Sequence, residues 1–262
     1  MKITLFTSNK NRHNYLINLL SEVSDVLYVI QECGTIFPGI VPGHYQVSPI
    51  IKKYFENVNN AQSNLFGNSY VKNKKKNIKI LPMLLGDLNQ CSMNLLSDFL
   101  KSDVYVIFGS SYIKGELVDF LVKQKAINIH AGVSPYYRGT DCNFWALYDD
   151  NPHLVGTTIH LLSKGLDSGP MLYHAMSNLK TNPFEYTMST IKSAFHSIAE
   201  RIKDGSIFTI KPFKQDNDKE VRYAKKSDFS EDVVKEYFEK KINLSLKKFD
   251  NSLLKEPFFL NK

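Results

Sequence analysis

Apolar residues in this chain fall into short runs separated by polar, Gly-bearing or Asn-bearing stretches, and the runs alternate between the period of a strand and that of a helix. Residues 3–7 read as a strand, and the polar 8–10 lead into a helix marked by Tyr15, Leu16, Leu19 and Leu20 at helical spacing. Residues 26–30 read as a second strand. Strand, helix and strand in that order predict a right-handed βαβ unit, the start of an open sheet with ligands at its carboxyl edge. The pattern then weakens: Gly34, Pro38, Gly39, Pro42 and Gly43 interrupt the first part of 33–77 and Asn and Lys the second, with one helix expected near 48–62. Residues 78–81 read as a short strand and 93–100 as a helix. An uninterrupted apolar run at 104–108 predicts a strand buried on both faces, followed by a helix over 113–122 and a strand over 127–130. Val155, Thr157, Ile159 and Leu161 alternate with Gly156, Thr158, His160 and Leu162, which predicts an antiparallel strand. Met188, Ile191, Phe195, Ile198 and Ile202 give 185–203 a helical apolar face that Gly205 ends.

The expected fold class is therefore α/β, an open, mostly parallel twisted sheet flanked by helices in a Rossmann-like arrangement. Residues 1–205 are expected to form the catalytic domain. Residues 206–262, rich in Lys and anchored by Tyr223, Phe229, Tyr237, Phe238 and Phe249, form either a small C-terminal appendage or a wrapping segment. The loop after the first strand lacks GxGxxG, so a dinucleotide is not supported.

Composition narrows the class. With 262 residues, 43% hydrophobic and 23% charged, the chain can bury one sizeable core. It contains no apolar run of about eighteen residues, and its start, MKITLFTSNK, turns polar too soon for a signal peptide, so the cytoplasm is expected and no membrane partner. Cys33, Cys91 and Cys142 are odd in number and widely spaced, which argues against a disulfide scaffold or a zinc site and for an inert Cys142 thiol. The formal charge of +7 is partly concentrated in Lys72, Lys74, Lys75, Lys76 and Lys79. That run is either a solvated loop or a patch facing phosphate, polyglutamate or nucleic acid. Without interleaved aromatics or an RNA-binding module, nucleic acid is not expected as a partner.

The chemistry concentrates between 126 and 174. Side chains two apart on a strand leave from one face, so Asn128 and His130 point together. Asn128 offers an amide N–H to a developing oxyanion, and a neutral His130 can take a proton from an attacking amine. Gly165 and Gly169 flank Leu166, Asp167 and Ser168, and a tight turn there would bring the Asp167 carboxylate beside the imidazole. No Ser or Cys nucleophile is required if the substrate's own amine attacks an acyl group delivered on a carrier.

Asn-Ile-His at 128–130, then Ser-Pro-Tyr-Tyr-Arg-Gly, Phe-Trp-Ala-Leu, Val-Gly-Thr-Thr-Ile-His and Gly-Leu-Asp-Ser-Gly-Pro-Met-Leu, in that order, resemble the folate-dependent formyltransferase family. A weaker likeness extends upstream to Asp103, so it covers about residues 100 to 175. Two departures stand out: Gly132-Val133-Ser134-Pro135 where the family commonly has Ser-Leu-Leu-Pro, and Pro170 where it commonly has an acid. The resemblance implies transfer of a formyl group from 10-formyltetrahydrofolate to an amine, with Asn128, His130 and Asp167 as the catalytic trio and no metal. It also implies a pterin beside the backbone after the strand ending at Gly109, which makes Ser110, Ser111, Tyr112, Ile113 and the loop ending in Asp167 candidate contacts. Met83 and Leu85 are candidate lining residues.

The acceptor is narrowed by comparison within the family. Methionyl-tRNA formyltransferases typically carry a basic C-terminal barrel, whereas 13 Lys/Arg stand against 10 Asp/Glu after Gly205 here. Purine-pathway members lack the Tyr-Tyr-Arg-Gly and Phe-Trp-Ala features that sugar N-formyltransferases share. The resemblance thus favours an amino sugar for surface-glycan biosynthesis, either nucleotide-linked or a nonulosonic acid of the pseudaminic type; a homodimer is compatible with it. Asn9, Lys10, Arg12 and His13 are candidate contacts to its phosphate or carboxylate. Arg138 could hold loop carbonyls or a carboxylate, and His160 is either structural or substrate-facing. A methionyl-tRNA formyltransferase-like enzyme and a non-catalytic folate- or sugar-binding domain remain as alternatives.

Overall fold

The computed structural model describes residues 1–34, 48–242, 244 and 254–260. Pro38, Gly39, Pro42, Gly43 and Phe249 lie outside the described residues.

Parallel interior strands must be apolar on both faces, and here they are. β1 (Lys2–Ser8) and β4 (Val104–Phe108) are buried along their length apart from Lys2, and they pair with each other in parallel. β2 (Val26–Cys33) lies on the other side of β1, β3 (Ile78–Leu84) forms an edge beyond it, and β5 (Ile127–His130) pairs with β4, all in parallel. Two further strands, β7 (Thr157–Leu161) and β8 (Met171–Met176), add antiparallel on the side of β5. With β10 (Phe258–Phe259) beside β8, the described sheet runs β10-β8-β7-β5-β4-β1-β2-β3. Sequence periodicity placed the central strands; β8, though buried throughout, carried no alternation to mark it.

Helices cover both faces. Helix α1 (Asn11–Glu22) buries Leu16, Ile17 and Leu20, and α2 (Pro49–Phe66) starts where Ser48 Oγ accepts from Ile51 N and Pro49 occupies the first turn. Helix α6 (Pro183–Lys203) is capped by Asn182 Oδ1, which accepts from Phe184 N and Glu185 N. Its buried Met188, Ile191, Phe195, Ile198 and Ile202 are the face expected from sequence, and they share a core with Ile3, Leu5, Val106 and Ile129. On the opposite face, Phe6, Ile30, Tyr105 and Ile107 meet Leu96 from α3 (Met93–Leu96) and Leu117 and Leu121 from α4 (Gly115–Lys123). The expected helix over 93–100 tightens after Leu96 into a 3-10 turn, Ser97–Leu100.

The C-terminal residues return to the sheet end rather than standing apart. Phe213 exchanges backbone hydrogen bonds with Met171, at 2.7 and 2.8 Å. Further on, β9 (Arg222–Ala224) pairs in parallel with β6 (Tyr137–Gly139). Gly139 is required there, because at φ +91° any Cβ would lie 2.0 Å from Ala224 O. Arg222 grips Asp149 through two N–H groups, at 2.9 and 2.6 Å, and lies over the Trp145 ring of α5 (Cys142–Tyr148). Helix α7 (Glu231–Glu239), not apparent from the sequence pattern, packs Val234 and Tyr237 into the same core as α2.

His174 on β8 is a buried clasp for this arrangement. Its Nε2–H donates to Ser134 O, at 2.9 Å, and its Nδ1 accepts from Lys255 N, at 2.8 Å. Burial pushes its pKa down to about 4, and a proton on Nδ1 would also face an N–H donor. The native state therefore resists protonation that the unfolded chain accepts near its ordinary value. Stability is complete above about pH 6.5 and is lost as pH falls towards 4, with His174 alone removing about 3 kcal/mol. Urea unfolding across that window is expected to show the decline, and a flat profile is the outcome that contradicts it.

Candidate active site

The antiparallel register of β5 and β7 builds the site. Asn128 sits opposite His160 and His130 opposite Thr158, so these side chains share one sheet face at the carboxyl end of β5. His160 Nδ1 lies 2.8 Å from Leu161 O, which can only accept, so the ring proton is on Nδ1. His160 Nε2 is then an acceptor and takes an amide hydrogen from Asn128 Nδ2 at 2.9 Å. The other Asn128 amide hydrogen points to Asp167 Oδ1 at 3.3 Å. At 1% exposure, His160 holds the Asn128 amide and also borders the cleft.

Asp167 arrives from the β7–β8 loop. The turn is made by Asp167 itself, at φ +48°, a backbone region that Asp tolerates better than most side chains. Gly165 and Gly169 have ordinary φ; Gly169 serves by closeness, since a Cβ there would lie 1.7 Å from Leu161 O. The carboxylate reaches His130, with Oδ2 at 3.3 Å from Nδ1, while Oδ1 lies 3.8 Å from His160 Nε2. Asn128, His130 and Asp167 therefore meet as expected, and His160 joins them.

His130 is held between two acceptors, Asp167 at Nδ1 and Tyr137 O at Nε2, the latter 3.2 Å away. A neutral ring carries one proton for these two sites, and a second proton would find an acceptor already in place. Burial pushes the His130 pKa below 6.5 while Asp167 pulls against it, leaving the ring a base at neutral pH. Burial also works to raise the Asp167 carboxyl, but the neighbouring His130 and His160 outweigh it and hold the acid below the usual carboxylate range. Cys142 is buried with its thiol pushed well above the ordinary value, so it is inert as expected.

The cluster opens on a cleft of about 770 Å³ along the carboxyl ends of the strands. Leu85, Gly109, Ser110, Ser111, Tyr112 and Ile113 line one side of it, where they were expected. Met83 does not; it packs, partly buried, against the core beneath α3 and α4. Glu32, unmarked in the sequence except as a lone acid ending an apolar strand, organises this side. Fully buried, it accepts from Gly86 N, Ser111 N and Ser111 Oγ at 2.9, 2.6 and 2.8 Å, and so ties the end of β2 to the loops after β3 and β4.

Lys10, Arg12 and His13 line the same cleft. Burial lowers the pKa of Lys10 and takes that of Arg12 down to about 10. Arg12 donates to Gln62 Oε1 at 2.7 Å, and no described carboxylate forms an ion pair with either cation. His13 is 2% exposed and pushed well below 6.5 by burial, with Nδ1 hydrogen-bonded to Thr7 Oγ1 at 2.8 Å, so it forms a neutral floor. Asn9 lies outside the cleft lining; its Oδ1 accepts from Gly34 N at 3.2 Å. Arg138 also lies outside it and holds Glu220 at 3.0 Å, with Asn217 Oδ1 and Leu166 O each at 3.3 Å. It thus holds both a carboxylate, that of Glu220, and a loop carbonyl, that of Leu166. An aromatic wall of Tyr54, Phe55, Phe144, Phe184 and Tyr237 completes the cleft, drawn from α2, α5, α6 and α7. No sequence period relates those residues, so pattern reading missed the wall.

The sheet is covered on both faces and gathers Asn128, His130 and Asp167 at its carboxyl edge. Residues 92–202 match the formyl transferase family. A methionyl-tRNA formyltransferase from Thermosynechococcus vestitus is 30% identical over 141 residues, covering 51% of this chain and 40% of that protein. The chain thus spans less than half the length of that curated relative. An N-formyltransferase from Helicobacter canadensis, solved in complex with folinic acid and dTDP-3-aminofucose, superposes with a TM-score of 0.52 at 15% identity, over 97% of this chain and 79% of that one. A phosphoribosylglycinamide formyltransferase from Anaplasma phagocytophilum gives 0.52 at 17% identity, over 86% and 94%. Both are likenesses of fold.

Asn128→Ala, His130→Ala and Asp167→Asn are each expected to lower turnover at least about a hundredfold with the fold intact by circular dichroism. The acid limb of wild-type turnover should fall below pH 6.5, where burial places the His130 ring, and Asp167→Asn should move it lower still by removing the charge that favours the imidazolium. An acid limb above pH 6.5, or one unmoved by Asp167→Asn, contradicts this assignment.

Proposed function

We propose that this chain is an N-formyltransferase that moves the formyl group of 10-formyltetrahydrofolate to the amine of an anionic amino sugar, nucleotide-linked or a nonulosonic acid, for surface-glycan biosynthesis in the cytoplasm. The observation that carries the reading is the Asn128, His130 and Asp167 cluster opening on a cleft whose two sides differ in chemistry. The side formed by Leu85 and residues 109–113 offers apolar surface and loop backbone groups pinned by Glu32, which suits a flat heteroaromatic ring. When bound there, the folate supplies an activated formyl carbon. Asn128 turns its longer-bonded amide hydrogen from Asp167 to the developing oxyanion, with His160 keeping the amide in plane. His130 accepts the proton of the attacking amine and returns it to the departing nitrogen, and Asp167 stabilises the ring while it is charged.

The opposite side carries Lys10 and Arg12, desolvated and without a described carboxylate partner, beside Tyr54 and Phe55. Two half-buried cations in that state favour a ligand that brings negative charge. The Helicobacter canadensis neighbour, whose complex holds an amino-sugar nucleotide, supports the same class. A second reading, formylation of methionyl-tRNA, is favoured by the curated sequence relatives. Tetrahydrofolate release measured against amino-sugar nucleotides, free nonulosonates and charged tRNA separates the two. Turnover with a sugar amine is expected, and Arg12→Gln should raise its KM about tenfold with kcat little changed. Turnover confined to charged tRNA, with a salt-sensitive gel shift, would replace the sugar reading.

A further inference from the structure

The Asp167 loop has no secondary structure of its own, yet its carboxylate must be held against two side chains of β5. The support comes from a residue 48 positions away. Gln215 is 6% exposed, and its single Nε2 donates to Asp167 O at 2.7 Å and to Gly169 O at 2.8 Å. Its placement follows from register: the bridge between Met171 and Phe213 is antiparallel, so two residues outward Gln215 falls opposite Gly169. Arg138 holds the carbonyl of Leu166, one residue before Asp167, and is itself paired with Glu220. The loop is therefore gripped at 166, 167 and 169 by side chains of β6 and of the segment after α6.

Stability alone does not explain a glutamine here. Its Oε1 is buried with no hydrogen-bond partner among the described residues, a cost that an apolar side chain would avoid. The two N–H bonds meanwhile fix the backbone of a residue in a left-handed conformation that the chain would otherwise leave readily. We propose that Gln215 is a positioning residue: by bridging the carbonyls of Asp167 and Gly169 it sets the carboxylate against His130 and Asn128. The segment after α6 then contributes to the reaction without touching substrate. The kinetic consequences rest on the formyl-transfer reading; the placement of the carboxylate does not.

The test is Gln215→Met, which keeps length and loses both donors, with Gln215→Asn as a shorter polar variant if Met does not fold. His130 is faced by Asp167, His160, Arg138 and Cys142, and of these the carboxylate is the group that favours its charged form. Following the His130 ring proton by NMR across pH reads that contact directly, without any assay of turnover. The midpoint in either Gln215 variant is expected to move lower, towards that of Asp167→Asn. In parallel, kcat should fall between about tenfold and a hundredfold with KM for both substrates changed less than about threefold, the signature of a displaced catalytic group. A folded Gln215 variant that titrates like the wild type, while Asp167→Asn shifts, overturns the proposal. A wild type inactive on every amine overturns the transfer reading instead, and the titration still decides the role of Gln215.

Discussion

The contact between Asp167 and His130 is the constraint around which this molecule is arranged. It joins a carboxylate from an irregular loop to an imidazole at a strand end, both nearly removed from water. A buried charge is costly unless neighbours stabilise it, and here His130, His160 and the Asn128 amide do so together. The same burial keeps His130 neutral and hence able to take up a proton. A base at neutral pH and an ionised acid 3.3 Å away are thus two results of one desolvated cluster.

Around that pair the fold divides its work by rigidity. Strands β5 and β7 carry Asn128, His130 and His160 on backbone that two cores hold from either face. Loops carry the remainder, and buried polar side chains hold the loops. Glu32 ties the end of β2 to the turns after β3 and β4, His174 clasps the 134 loop to Lys255, and Gln215 and Arg138 grip the Asp167 turn. Each of these makes two or more hydrogen bonds across long sequence separations, which gives specificity that apolar packing cannot supply. The C-terminal segment is tied in the same way, through β9, α7 and the stack of Arg222 on Trp145, and it brings Tyr237 to the cleft wall.

The chain is mixed in what it shares with its relatives. Its matched domain spans residues 92–202, which contain β4, β5, β7, β8 and the whole trio, while Lys10, Arg12, Tyr54 and Gln215 lie outside that span. The Asn128, His130 and Asp167 cluster therefore lies in the matched region, and part of the cleft lining comes from outside it.

Much of the sheet could be read from the chain alone, because parallel strands buried on both faces must be apolar runs and α6 must present an apolar stripe. The trio was legible for a similar reason: Asn128 and His130 are two apart on a strand, and a period of two is a local property. What the chain did not reveal depends on contacts between residues far apart. The register of β5 against β7 decided that His160 serves Asn128, and a backbone bridge at Phe213 decided that Gln215 reaches the Asp167 loop. Met83 and Asn9 sit one or two residues from the cleft lining, a difference no periodicity resolves. Local sequence determines which residues can form a strand or helix and which faces are apolar; the closing of distant segments against one another decides which polar groups meet, since hydrogen bonds of about 3 Å are set by three-dimensional position and leave no period in the chain.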